Sequence, residues 1–134
     1  MMSAVHDAAR QAWHARFANR AKPPAAPVAK LDVRASDGAT EIMLYAEIGY
    51  WGITAEHFNK VLAEVTTPRI VLRINSPGGD VFDGYAMYHA LRAHPATVEC
   101  VVEGLAASAA SFVALAGETL VMSDPSLLMI PRAW

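Results

Sequence analysis

Apolar and polar residues alternate with two different periods in the middle of the chain, and these periods predict its first elements. Between Glu41 and Ile48 apolar side chains take every second position, the pattern of a half-buried strand. After Thr54, which is suited to cap a helix, apolar residues follow a helical period up to Val65. The sequence therefore predicts a core that begins at Glu41 with a strand and continues with a helix.

The same order of strand, glycine-bearing turn and helix then recurs twice along the chain. This succession predicts an α/β domain with a mainly parallel sheet. The predicted elements are strands at Arg69–Ile74, Thr97–Val102, Thr119–Met122 and Leu127–Ile130, turns at Asn75–Gly79 and Glu103–Leu105, and helices at Asp80–His94 and Ala106–Ala116.

The first 30 residues have the pattern of an appendage. Residues Ser3–Asn19 place apolar side chains on one helical face, and the Pro- and Ala-rich segment Lys22–Lys30 is unable to continue that helix. We therefore divide the chain into an N-terminal helix and linker, residues 1–30, and a main domain, residues 31–134. The helix is interpreted as a packing or oligomer contact, with a membrane-surface or partner helix as the alternative.

Composition narrows the classes of function. The chain has 134 residues, of which 54% are hydrophobic and 18% charged; this apolar excess predicts burial against other subunits, or aggregation without them. A net charge of −2 gives no argument for binding nucleic acid or a membrane. Cys100 is the single cysteine, which excludes an internal disulfide, and it is expected to be buried and inert. Neither a signal peptide nor a membrane span is evident, so we expect a cytoplasmic protein.

Candidate chemistry lies at two glycine-bearing turns, which follow two of the predicted strands. In the first, paired glycines at 78 and 79 leave backbone amide hydrogens free to face a ligand. In the second, Ser108 stands at the start of a helix, where free N–H groups favour negative charge. Spacing alone leaves two explanations open, which are close packing of small residues and an oxyanion hole beside a serine.

Together, Ile74-Asn-Ser-Pro-Gly-Gly-Asp80 and Gly104-Leu-Ala-Ala-Ser-Ala-Ala-Ser-Phe112 resemble the paired signature of the ClpP serine peptidases. The extension Asp80-Val-Phe-Asp-Gly84 is most similar to the head-maturation proteases of tailed phages, and the resemblance runs from Glu41 to Trp134. It implies the ClpP/crotonase-like spiral of β-β-α units. It also implies that Ser108 is the nucleophile and that the amides of Gly79 and Ala109 form the oxyanion hole.

The same resemblance implies a reaction and its partners. The reaction is hydrolysis of a peptide or protein substrate through an acyl-enzyme, without a metal or organic cofactor. The setting is a homo-oligomeric ring, with an unfoldase or phage capsid proteins as candidate partners.

The sequence departs from the family at the general base. Family members carry Met-Ile-His on the strand after the nucleophile helix, whereas this chain has Pro131 in the histidine position. Arg132 stays protonated and is unable to replace that base. The later acidic residue of the triad is not among the 134 residues, so we expect a fold that is incomplete at the C-terminus. Because losing the base costs about a millionfold in a serine protease, the expected activity is nil or nearly so.

No catalytic role is assigned to the remaining polar candidates. We expect surface or packing roles for the histidines, helix capping for two acids and a structural role for a second serine: His6, His14, His57, His89, His94, Asp80, Asp83 and Ser111. Two alternatives to a peptidase stay open. One is a non-catalytic truncated subunit or assembly remnant, and the less favoured one is an acyl-CoA enzyme of the related crotonase type.

Overall fold

The computed structural model of the chain describes residues 30–131. The predicted N-terminal helix, almost all of the linker and Arg132 lie outside the described residues. The elements in chain order are β1 (Asp32–Ser36), β2 (Ala39–Leu44), α1 (Ala55–Ala63), β3 (Arg69–Ser76), α2 (Val81–Ala93), β4 (Thr97–Ala107), α3 (Ala109–Ala114), β5 (Thr119–Met122) and β6 (Leu127–Met129).

Six strands form one mixed sheet in the described part of the chain. Its order is β1-β2-β3-β4-β5, and β6 also pairs with β4. The pairing of β1 with β2 is antiparallel, and the pairings among β2 to β6 are all parallel. Helices connect the consecutive parallel strands β2, β3, β4 and β5, so the predicted α/β fold built from strand–helix units is confirmed.

Helices α1 and α2 begin where a capping side chain accepts a hydrogen bond from an amide of the first turn. The Thr54 hydroxyl accepts the His57 N–H at 3.1 Å at the start of α1. The Asp80 carboxylate accepts the Asp83 N–H at 3.0 Å at the start of α2. Asp83 in turn accepts the Ala55 N–H at 3.3 Å, which ties the first turns of the two helices together. Within residues 30–131, every helix is too short or too polar to cross a membrane.

The core lies between the sheet and these helices. Alternate residues of β3, namely Ile70, Leu72 and Ile74, are fully buried on the helix side. Phe58 of α1 and Met87 of α2 cover them and are also fully buried. Since each such side chain stabilises the fold by about 1.5–3 kcal/mol, this layer holds the carboxyl end of β3 in place.

The N-terminal hairpin was not predicted. All five residues of β1 are exposed, and Val33 and Ala35 are its apolar residues, at alternate positions. Asp37 and Gly38 join it to β2 with φ of 35° and 79°. An Asp-Gly pair is a hairpin signal, and it is the feature that identifies this turn from sequence. The predicted strand Glu41–Ile48 begins earlier, at Ala39, and ends at Leu44.

The second glycine-bearing turn also differs from its prediction. Glu103–Leu105, expected to be a turn, belongs to β4, and the helix expected from Ala106 begins at Ala109. Ile74 of β3 pairs with Val102, but the next paired residue of β3, Ser76, lies opposite Ala106. Three residues of β4 therefore face one residue of β3. We call the segment Glu103–Leu105 the β4 bulge.

Candidate active site

Ser108 occupies a strained turn between β4 and α3. Its φ of 53° and ψ of −121° are unusual for a residue that carries a Cβ and cost about 1–3 kcal/mol. The Ser108 N–H donates to the Met129 carbonyl at 2.9 Å. The Ser108 carbonyl accepts hydrogen bonds from the backbone N–H and the hydroxyl of buried Ser111. A serine on a sharp, strained strand-to-helix turn is the arrangement that exposes a nucleophilic Oγ in hydrolases.

Hydrogen bonds to Ala46 and Ile48 hold the glycine-bearing turn that follows β3. The buried Ser76 hydroxyl donates to the Ala46 carbonyl at 2.7 Å and accepts the Gly78 N–H at 3.2 Å. The Ile48 N–H donates to the Gly78 carbonyl at 2.8 Å, and the Ile48 carbonyl accepts the Asp80 N–H at 2.9 Å. The Gly78 carbonyl and the Asp80 N–H, on either side of Gly79, are therefore both hydrogen-bonded.

The two glycine-bearing turns are in contact. A Cβ on Gly78 would lie 3.0 Å from the Ser108 Cβ, 3.0 Å from the Ala109 nitrogen and 2.4 Å from the Ala107 carbonyl oxygen. Only glycine allows this approach, and its φ of 90° also favours glycine. The backbone of the first turn thus packs directly against the serine of the second.

The amides of Gly79 and Ala109 have no protein acceptor within residues 30–131. Gly79 is exposed, and Ala109 is the first residue of α3, so its N–H precedes the intrahelical hydrogen bonds. Free backbone donors on two adjoining turns are the groups that stabilise a developing oxyanion. A cavity of about 330 Å³ opens beside Gly79, lined also by Glu47, Tyr50 and Trp51, and leaves this turn accessible.

Strand β6 brings position 131 toward the serine. It runs parallel to the end of β4, with Met129 opposite Ala107, so the chain continues past Ser108 to Pro131. Pro131 is exposed and carries neither a titratable group nor an N–H donor. The residue that the resemblance aligns with a general base therefore has no capacity to take a proton.

The histidines with predicted packing or surface roles make contacts of that kind. His94 accepts the Ala96 N–H through Nδ1 at 3.0 Å, and its Nε2 lies 3.1 Å from the Leu62 carbonyl. His89 is exposed and packs edge-on against Tyr88. His57 is exposed on α1 and lines a cavity of about 340 Å³ with Tyr50. None of these contacts involves Ser108.

Cys100 is a buried thiol in the middle of β4. Burial raises the pKa of its thiol to about 12, although a backbone hydrogen bond from Gly117 acts in the opposite direction. Because the thiolate is the reactive form, this cysteine is inert at neutral pH.

The backbone strain at Ser108 carried no signal in the sequence. The surrounding Ala-Ala-Ser-Ala-Ala run contains no glycine, which is the residue that announces a positive φ. The β4 bulge was missed as well, and Gly104 within it was the available signal, since an isolated glycine in a strand marks a bulge.

Comparison with known proteins identifies relatives of this chain. The family model described as Clp protease matches residues 34–134. The ATP-dependent Clp protease proteolytic subunit of Nuphar advena is 46% identical over 55 residues, which are 41% of this chain and 27% of that protein. The subunit of Lobularia maritima is 44% identical over 55 residues, covering 41% of this chain and 28% of that protein.

Solved structures show the same likeness. A point mutant of ClpP1 from Listeria monocytogenes superimposes with a TM-score of 0.62 at 27% identity, over 69% of this chain and 56% of that one. ClpP1 from Listeria monocytogenes gives 0.53 at 31% identity, over 58% and 46% of the two chains.

These matches differ in extent. Those to the curated relatives span about a quarter of the relatives' length (27% for the Nuphar subunit). The family model, in contrast, covers both glycine-bearing turns and all strands from β2 to β6. The chain belongs to the Clp protease family.

Proposed function

We propose that this chain is a subunit of a Clp-type serine endopeptidase in which Ser108 is the nucleophile. Its Oγ would attack a peptide carbonyl carbon, and the amides of Gly79 and Ala109 would hold the resulting oxyanion. Expulsion of the amine leaves an acyl-enzyme, and water then cleaves the new ester bond and restores the hydroxyl. The observation that supports this most is the strained strand-to-helix turn at Ser108, packed against Gly78.

The reaction also needs a base to take the Ser108 proton and return it to the leaving amine. Pro131 stands where the family resemblance places that base, so the chain is expected to be inactive or nearly inactive by itself. Losing this base costs about a millionfold in turnover in a serine protease. Pro131 therefore favours a second candidate function, a non-catalytic subunit that contributes only contacts to an assembly.

The substrate class follows from the family. The curated relatives are named as ATP-dependent Clp protease proteolytic subunits. By that likeness we propose unfolded polypeptides as substrates, delivered by an ATP-driven unfoldase to a homo-oligomeric ring in the cytoplasm. The similarity of Asp80–Gly84 to head-maturation proteases narrows the proposed substrates to phage head proteins.

Restoring a base at position 131 tests this function. In the wild-type chain, a fluorophosphonate probe is expected to label no better than in the Ser108→Ala variant. Pro131→His is expected to raise labelling by about tenfold or more, because it adds an imidazole two residues beyond Met129, whose carbonyl accepts the Ser108 N–H. Mass spectrometry of the labelled peptide identifies the residue that carries the phosphonyl group.

Two controls make the result specific. Ser36→Ala, in the exposed strand β1, is expected to leave labelling of the Pro131→His chain unchanged. Adding Ser108→Ala to Pro131→His is expected to abolish it. Labelling of Pro131→His at a residue other than Ser108, or no labelling at all, would contradict the proposed nucleophile. Strong labelling of the wild-type chain at Ser108 would contradict the claim that its base is missing.

A further inference from the structure

The β4 bulge lies directly before the strand end that carries Ser108. Two residues more than in a regular ladder are inserted between Val102 and Ala106, all opposite Asn75 of β3. Such an insertion bends a strand and changes the direction in which it continues. The direction of the last residues of β4 therefore depends on the bulge.

The neighbours of β4 change at this bulge. Before it, Glu99–Val102 pairs with β5. From its last residue onward, Leu105–Ala107 pairs with β6, and the Ser108 N–H extends that pairing to Met129. The bend is thus the point at which β4 leaves the regular sheet and turns toward Gly78.

The bulge is fastened to β3 on both sides of Gly104. The Asn75 Oδ1 accepts the Leu105 N–H at 3.1 Å. On the other side of Gly104, the Glu103 carboxylate is paired with the Arg73 guanidinium at 2.5 Å. The absence of a side chain at Gly104 leaves space for the side-chain amide of Asn75, since a Cβ at Gly104 would lie 2.6 Å from the Asn75 Oδ1. Asn75 is thereby the polar side chain that meets the backbone of the bulge.

We infer that Asn75 is a positioning residue for Ser108, acting through its hydrogen bond to Leu105 in the β4 bulge. It sets the bend in β4, and the bend sets the distance between the serine turn and the glycine turn. The role of Asn75 in the reaction rests on the proposed function, whereas its effect on the Ser108 turn does not. Asn75 itself supplies neither the hydroxyl nor the amides of the candidate site.

The kinetic test uses the Pro131→His chain and a fluorophosphonate. Asn75→Ala is expected to lower the maximal labelling rate by about a hundredfold with little change in probe affinity, because misplacing a reacting atom by about 1 Å has that effect. Asn75→Asp keeps an acceptor with the same reach and is expected to restore labelling to within about threefold. Arg69→Ala, which removes another β3–β4 side-chain contact outside the bulge, is the matched control and is expected to have no effect.

Gly104→Ala supplies an independent variant. Its methyl group should displace the Asn75 amide group, which it would meet at 2.6 Å, and break the same hydrogen bond. It is therefore expected to resemble Asn75→Ala, and the double variant should be no slower than either single one. Multiplied losses in the double variant would mean that the two residues act separately, which would overturn the inference.

A measurement without chemistry separates this inference from the proposed function. In the wild-type chain, Asn75→Ala should speed hydrogen exchange of the Leu105 amide and shift the Ser108 amide resonance, whereas Asn75→Asp should do neither. If Pro131→His is not labelled at Ser108 but these shifts occur, the nucleophile proposal fails and the positioning role stands. Unchanged Leu105 exchange and Ser108 resonance in Asn75→Ala would overturn the positioning role.

Discussion

At Ser108, a residue with a Cβ holds a backbone conformation that proteins usually give to glycine. The surroundings impose it, since its N–H is bound by β6 and its carbonyl by Ser111. A relaxed turn would break these bonds and withdraw the side chain from Gly78. Strain at one residue is therefore coupled to the contact that creates the candidate site.

Substitution at Gly78 tests this contact. Gly78→Ala is expected to lower the free energy of unfolding by about 3 kcal/mol or more, because the new methyl group meets a backbone oxygen and the φ is positive. Gly38→Ala is the matched control, with a positive φ but only an ordinary contact of the new methyl group with Pro68 Cγ at 3.9 Å, and should cost only about 1 kcal/mol. Urea unfolding of the two variants measures both values, and equal losses would show that the turns are not in close contact.

Among the elements, those with a regular hydrophobic period were predictable. The alternation of β2 and the helical period of α1 were both evident in the sequence, because burial on one face imposes a period. Strand β1 and the β4 bulge were not predicted, since the alternation in β1 consists of Val33 and Ala35 alone and a bulge interrupts any alternation. The two turns of the candidate site were recognised as motifs, and the family resemblance implied that they lie together, but neither motif indicated the β4 bulge before Ser108.

The burial of β4 beneath α3 predicts a dependence of stability on pH. Cys100 Sγ lies 3.9 Å from the Val113 carbonyl, and burial raises the pKa of the thiol from 9.0 to about 12. Below pH 9.0 the Cys100 thiol is protonated in both the folded and the unfolded chain. Between the two values only the unfolded chain loses its proton, so the folded state loses about 1.4 kcal/mol per pH unit from this group.

Urea unfolding at about pH 8 and about pH 10 checks this sign. Stability of the wild-type chain should fall by about 1 kcal/mol more over this interval than that of Cys100→Ala, in which every other alkaline group is retained. Parallel losses in the two proteins would show that the thiol ionises equally well in the folded and unfolded states.

On the scale of the whole molecule, apolar side chains remain exposed at the sheet edge and at the start of α2. Phe82 is 75% exposed, and Leu127 and Met129 of β6 are 66% and 57% exposed. Apolar side chains exposed to this extent are consistent with the expected burial against other subunits. That burial stays a prediction. Strand β6 combines this surface with the path to position 131, so assembly and catalysis would meet at one edge.

The measurement closest to the central claim is a crystal structure of the Pro131→His chain carrying a phosphonyl group from the fluorophosphonate. The account predicts a bond from the Ser108 Oγ to phosphorus, with the phosphonyl oxygen about 2.7–3.1 Å from both the Gly79 and the Ala109 nitrogens. An adduct whose oxygen points into solvent, away from these two amides, would contradict it.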